Sequence, residues 1–159
     1  MKVKGVIDTD FVNYKLPCMT IEMPFCDFKC DREFGEPLCQ NCELALAPTL
    51  EYSNTSIIQL YRDNPITRAV CFQGLEPFDT FEDLRDFISV FRELYSINDD
   101  IVIYTGYNKY EIQEKINEIA IYGNIIIKFG RYIPNKPPHF DEVLGVELAS
   151  NNQYAERIS

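Results

Sequence analysis

Apolar residues recur along this chain at two different spacings, and each spacing predicts a different kind of element. Between Thr80 and Ile97 they return every three or four positions, which predicts one amphipathic helix. Thr80 and Asp83 resemble a capping box at the start of that helix, although aspartate stands where Glu or Gln is usual. Short apolar runs that end at glycine or proline predict strands instead.

The predicted elements alternate between strands and helices. Cys18–Met23 is the first core strand, and a further strand or hairpin precedes it. The others are a helix over 55–64, a strand over 68–73, a strand over 101–105, a helix over 110–121, a strand over 124–129 and a final strand over 143–149. This order is typical of βαβ units, so we expect an α/β fold with a mostly parallel sheet.

Size and charge narrow the class of protein. The chain has 159 residues, which is the length of one ordinary domain, so we expect a single domain over 1–159. Its formal net charge of −10 repels phosphate backbones and argues against nucleic-acid binding. No run approaches the ~18 apolar residues of a membrane span. Residues 1–5 lack the apolar segment of a signal peptide, so we expect a cytoplasmic protein with reduced thiols.

Four of the six cysteines stand close together, in the pattern Cys26-x3-Cys30-x8-Cys39-x2-Cys42. Charged residues surround them, which argues against a role in core packing. Thiolates gathered in one loop predict a site for a soft metal, either an iron–sulfur cluster or a structural zinc ion. By contrast, Cys18 and Cys71 lie inside predicted strands, where a free cysteine usually packs as a small apolar residue.

Three segments with unusual residues follow predicted strands. They are the cysteine loop, Gly74-Leu75-Glu76-Pro77 and Thr105-Gly106-Tyr107. In parallel sheets the ligands bind at the carboxyl ends of the strands. We therefore expect all three segments to meet at one edge of the sheet and to form a site there.

These segments, taken in order, resemble the radical S-adenosylmethionine enzymes, and most closely the small activating enzymes of glycyl-radical proteins, above all the activator of anaerobic ribonucleoside-triphosphate reductase. The first two cysteines match the family's Cys-x3-Cys-x2-Cys motif. The other matching segments are Asp10 to Asn13, Gly74 to Pro77 (Gly-Gly-Glu-Pro in the family), Tyr104 to Tyr107, Gly130 to Tyr132 and Ser150 to Gln153.

The resemblance implies a partial (β/α) barrel, with the cluster loop directly after the first core strand. It implies a [4Fe–4S] cluster bound by Cys26, Cys30 and Cys39, with Cys42 as the rival third ligand. It also implies that S-adenosylmethionine binds at the open iron and is cleaved reductively to a 5′-deoxyadenosyl radical. The S-adenosylmethionine site then comprises Gly74, Leu75, Glu76, Thr105 and Gly106.

The implied partners are a large glycyl-radical enzyme, such as anaerobic ribonucleotide reductase, and a flavodoxin or ferredoxin that supplies electrons. Two departures from the family pattern indicate a divergent branch. Eight residues separate Cys30 from Cys39, where the family has two, and Leu75 replaces a glycine. Two other classes of function therefore stay open: an iron–sulfur electron carrier or scaffold, and a zinc-stabilised interaction module.

Overall fold

The structure is a computed structural model that describes residues 1–159 and contains ten strands and five α-helices. The strands are β1 (Lys2–Val3), β2 (Gly5–Asp10), β3 (Cys18–Met23), β4 (Leu50–Glu51), β5 (Ala69–Gly74), β6 (Asp100–Tyr104), β7 (Ile125–Phe129), β8 (His139–Asp141), β9 (Val146–Leu148) and β10 (Tyr154–Arg157). The helices are α1 (Lys29–Phe34), α2 (Cys42–Leu46), α3 (Asn54–Asp63), α4 (Phe81–Ser89) and α5 (Gln113–Ala120).

Six of the strands form one mixed sheet in the order β10-β7-β6-β5-β3-β2. The four inner strands β3, β5, β6 and β7 are parallel, while β2 and β10 pair antiparallel at the two edges. The remaining strands form two small antiparallel pairs, β1 with β4 and β8 with β9. The expected α/β fold with a mostly parallel sheet is confirmed, and its closure into a partial barrel stays a prediction.

Helices cover one face of this sheet. The apolar sides of α3, α4 and α5 pack there against alternate residues of the inner strands, in a cluster of 23 buried residues. Phe72 of β5 meets Phe87 of α4 edge-to-face, with ring centroids 5.2 Å apart. The inner strands are largely apolar on both faces, as buried parallel strands generally are.

The opposite face carries a smaller core of nine buried residues. Its members from the sheet are mostly small, and Leu144 and Leu148 from the β8–β9 segment pack over them. Cys18 and Cys71 are both fully buried in this core, which confirms their predicted role as packed residues. The β8–β9 hairpin thus takes the place that a helix layer fills on the other side.

The structure corrects several local predictions. The predicted 80–97 helix comprises α4 followed by a π-helical turn over Val90–Leu94. The capping box is wrong, because the Thr80 side chain caps nothing and its hydroxyl has no hydrogen-bond partner. The predicted final strand over 143–149 is only the short β9, and the last strand, β10, was missed. None of the helices combines the length and hydrophobicity that a membrane span requires.

Candidate metal centre

A cavity of about 390 Å³ opens at the carboxyl ends of the inner strands. Its volume lies within the ~300–1,000 Å³ range of small-molecule sites. The loops after β3, β5, β6 and β7 all contribute to its wall, and Val146 to Ala149 close another side. The three segments that were expected to share one edge of the sheet do line this one cavity.

Three of the four clustered cysteines line the cavity: Cys26, Cys30 and Cys39. Each is partly buried, whereas Cys42 is exposed and is not part of the wall. Burial raises the pKa of the Cys26 thiol to about 12 and also raises the pKa of Cys30 and of Cys39. The three thiols are therefore protonated at neutral pH, and any metal that binds them must displace protons.

The spacing of the sulfurs bears on the kind of metal. No three of the four cysteine Sγ atoms lie within 4.8 Å of one another. Four sulfurs bound tetrahedrally to one zinc ion at about 2.3 Å would all lie within that distance of each other. In a four-iron cluster each cysteine binds a different iron, so its sulfurs are further apart. The cysteine sulfurs therefore do not form a preassembled site for a single zinc ion.

Residues 20–153 match the family described as 4Fe-4S single cluster domain. The chain belongs to this 4Fe-4S single cluster domain family. No match is found among curated proteins or among solved structures. In this 4Fe-4S domain the donor set fits the group, because Cys26, Cys30 and Cys39 are soft ligands that face a space large enough to hold a cluster. Their assignment as ligands, with Cys42 as the rival, stays a prediction.

Glu76 connects the ends of two neighbouring strands beside these cysteines. Its carboxylate accepts hydrogen bonds from the Thr105 hydroxyl (2.7 Å), the Gly106 N–H (2.8 Å) and the Phe78 N–H (3.1 Å). The side chain is 7% exposed, and its burial raises the pKa of Glu76 to about 7 in spite of those three hydrogen bonds. The cavity wall therefore contains a carboxyl group that changes its charge near neutral pH.

Lys128, near the end of β7, is a cation in the same wall and is also only 7% exposed. Its ammonium donates a hydrogen bond to the Gly130 carbonyl (2.9 Å) and makes no ion pair with any carboxylate within 4 Å. Burial lowers the pKa of Lys128 to about 8. The cavity thus contains one buried acid and one buried base that do not neutralise each other by direct contact.

The remaining predicted residues lie where they were expected, at the strand ends. Gly74 has a φ of +89°, and a Cβ there would come within 2.8 Å of Leu44, so the position favours glycine. A Cβ on Gly106 would lie 3.5 Å from the Cys30 sulfur, so the chain passes close to the cysteine loop there. Leu75, which replaces the family's glycine, is 7% exposed and lines the cavity.

The cysteine loop is attached to the sheet by a series of polar contacts. The Asp79 carboxylate accepts hydrogen bonds from the Asp27 N–H (2.9 Å) and the Tyr107 hydroxyl (2.6 Å). These bonds also account for the closeness of Asp79 to Cys26 and Asp27, whose ligand atoms lie within 4.8 Å of one another. The Asn41 side chain donates to the Gly74 carbonyl (2.8 Å).

Arg131 fastens the helix of the loop in a second place. Its guanidinium binds the Glu111 carboxylate through two hydrogen bonds (2.9 and 3.1 Å) and approaches Glu33 of α1 at 3.2 Å. The pair lowers the pKa of Glu111 to about 2, and Lys29 of α1 also binds Glu111. The contact of Glu33 with Arg131 and that of Lys29 with Glu111 hold α1 against the cavity wall that contains Arg131.

Sequence reasoning missed several residues of the wall. The main one is Lys128. Lys128 carried a detectable signal, because a lysine inside the run Ile125-Ile-Ile-Lys-Phe129 is unexpected in a strand that is buried on both faces. Asn41 and Gln153 also carried a signal, because Cys39-Gln40-Asn41 resembles a Cys-x-Asn sequence of the family and Gln153 ends the tail segment that resembles the family.

Proposed function

We propose that this protein is a radical S-adenosylmethionine enzyme whose cluster is bound by Cys26, Cys30 and Cys39. The observation that supports this most is the shape of the wall. Three thiols and the strand-end segments around Glu76 and Gly106 line the same cavity of about 390 Å³. The cysteines would hold the cluster, and the strand-end segments would bind a small molecule in the same cavity.

When bound and reduced, such a cluster supplies the electron that cleaves S-adenosylmethionine to methionine and a 5′-deoxyadenosyl radical. The protein's own residues have to bind the molecule, orient it and exclude water. The three partly buried cysteines and the apolar Leu75 would shield part of the site from water. The backbone at Gly74 and Gly106 carries no Cβ, so a ligand can approach it closely.

Charge in the cavity also supports the proposal. An amino-acid moiety carries an ammonium and a carboxylate, and the wall offers the carboxylate of Glu76 and the ammonium of Lys128. Both groups are buried and neither is neutralised by an ion pair, so a zwitterion would recover part of the desolvation cost of each. S-Adenosylmethionine carries such a moiety. We assign Glu76 to its ammonium and Lys128 to its carboxylate.

The test is anaerobic reconstitution with iron and sulfide, followed by addition of dithionite and S-adenosylmethionine. We expect about four irons per chain, as one cluster requires, and release of 5′-deoxyadenosine. Zinc in the purified protein, or no 5′-deoxyadenosine from a fully loaded cluster, would contradict the proposal. Lys128→Met should load iron normally and bind S-adenosylmethionine more weakly, and the exposed Lys136→Met is its matched control.

One observation favours a second candidate, an iron–sulfur electron carrier or scaffold. Leu75 lines the cavity where the family has a glycine, and its side chain occupies space beside the strand end. Equilibrium binding of S-adenosylmethionine to the loaded protein separates the two candidates. A carrier has no reason to bind it, whereas the enzyme must.

For the reaction that follows cleavage, we propose a protein substrate, namely a glycine of a large glycyl-radical enzyme such as anaerobic ribonucleotide reductase. Exposed apolar side chains beside the cavity support a macromolecular partner. Val12 lines the cavity and is 75% exposed, and the adjacent Phe11 is 68% exposed. A flavodoxin or ferredoxin is the proposed electron donor. Appearance of a glycyl-radical signal in a candidate partner, by electron paramagnetic resonance, tests this step.

A further inference from the structure

The eight residues between Cys30 and Cys39 pose a geometric problem for a shared cluster. A chain that long, if extended, spans up to roughly 30 Å, whereas both sulfurs face one small cavity. Something within the segment must therefore bring its two ends together. This requirement is absent where only two residues separate the cysteines, so the solution has to come from residues that are particular to this chain.

The first half of the segment is folded as helix. α1 contains Cys30 and ends at Phe34, and the next residue, Gly35, has a φ of +76°. The left-handed conformation of Gly35 stops the helix and reverses the chain. No residue of α1 is fully buried, so core packing does not fix this segment.

The Asp31 carboxylate holds the second half of the segment close to α1. One of its oxygens, Oδ1, accepts hydrogen bonds from the N–H of Leu38 and from the N–H of Cys39, each 3.0 Å long. These two bonds span seven and eight residues of sequence. Hydrogen bonds to an ionised acceptor are stronger than those between neutral groups. On the other side of Cys39, Asn41 is bonded to the Gly74 carbonyl (2.8 Å), so Cys39 is held from both directions.

We infer that Asp31 is the positioning residue that lets Cys39 act as the third cluster ligand in spite of the long insertion. It binds no metal itself. Its carboxylate fixes the backbone of Cys39, and thereby keeps the Cys39 sulfur on the cavity wall that also contains the Cys26 and Cys30 sulfurs. The role of Cys39 as ligand rests on the proposed function, whereas the hold that Asp31 has on Cys39 does not.

The test compares Asp31→Ala with Asp31→Asn and with Glu36→Ala, an exposed acidic residue of the same segment that makes no side-chain hydrogen bond or ion pair. The first readout is the alkylation rate of each cysteine in metal-free protein, measured by mass spectrometry. We expect Asp31→Ala to raise the rate at Cys39 about tenfold, the equivalent of one charge-assisted hydrogen bond, with no change at Cys42. Asp31→Asn retains an oxygen that can accept both bonds, so it should restore most of the protection.

The second readout is iron per chain after reconstitution and the rate at which a chelator removes that iron. Asp31→Ala should load less iron and lose it about tenfold faster. Asp31→Asn should retain most of the iron, and Glu36→Ala should behave like the wild type. Unchanged alkylation at Cys39 in Asp31→Ala would overturn the inference, as would unfolding of the whole domain, because a contact confined to the loop cannot unfold the sheet. If the wild type itself takes up no iron, the proposed function fails, and the alkylation rates still decide the role of Asp31.

Discussion

Replacement of Lys128 by methionine should stabilise the unliganded protein, although it removes a residue from the proposed binding site. The folded state lowers the pKa of Lys128 from its usual 10.5 to about 8, because the ammonium is buried. Each pH unit between these two values is worth about 1.4 kcal/mol, so the charged lysine costs the folded state on the order of 3 kcal/mol at neutral pH. Methionine is similarly long and unbranched and carries no charge to desolvate.

The substitution also removes the hydrogen bond from Lys128 to the Gly130 carbonyl, which is worth about 1 kcal/mol. That carbonyl keeps a second donor, the Gln153 side chain at 3.2 Å, so it is not left unpaired. The net gain should therefore be about 2 kcal/mol at pH 7, or roughly 5 °C in Tm for a chain of this size.

The difference in stability between Lys128→Met and the wild type should depend on pH. Below pH 8 the lysine is charged in both the folded and the unfolded state, so the wild type bears the full cost. Between pH 8 and 10.5 the folded state releases its proton first, and the stability of the wild type rises relative to the variant. Urea denaturation of metal-free Lys128→Met, Lys136→Met and wild type from pH 7 to 10.5 measures this. A less stable Lys128→Met at pH 7, or an advantage that does not shrink at high pH, would refute the reasoning.

Three further substitutions test other parts of the structure. Cys39→Ala should abolish cluster retention and Cys42→Ala should preserve it, because of these two cysteines only Cys39 lines the cavity. Iron content after reconstitution measures the retention, and the opposite pattern would make Cys42 the ligand. Leu75→Gly should tighten S-adenosylmethionine binding in calorimetry and cost about 2–3 kcal/mol of stability; unchanged affinity would show that Leu75 does not obstruct the site. Phe87→Ala should cost about 3–5 kcal/mol in urea denaturation, since its ring is fully buried between the sheet and α4, and a loss below ~1 kcal/mol would contradict the assigned core.

Much of the sheet could be predicted from the sequence, because its inner strands are short, largely apolar runs that end near glycine or proline. The edge strand β10 could not, since Tyr154–Arg157 is largely polar and is a strand only because β7 offers it an unpaired edge. The capping box failed for a related reason. Thr80 is the last residue of a 3₁₀ turn over Pro77–Thr80. That turn already leads the chain into α4, so the threonine does not adopt the conformation of a cap.

The candidate site could be predicted in part, for a topological reason. Segments that follow parallel strands must meet at one edge, so the cysteine loop, Glu76 and Gly106 were bound to be neighbours once the strands were known. The contacts that fix the cysteine loop were not predictable in this way. Asp31, Asn41 and Asp79 act through hydrogen bonds to backbone groups, and such bonds leave no periodic or compositional trace in a sequence.

The two buried charges of the cavity together destabilise the ligand-free protein most in a narrow range of pH. Burial raises the pKa of Glu76 from 4.5 to about 7. The free-energy cost of Glu76 to the folded state therefore grows as pH rises through that interval. The cost of Lys128 is present below pH 8 and disappears as pH rises toward 10.5. Both costs are therefore largely present between about pH 7 and 8, where each group is at least half charged and neither has a counter-ion in contact. The proposed zwitterionic ligand would relieve both costs at once in that range, so the charges that destabilise the ligand-free protein are the ones that would favour binding.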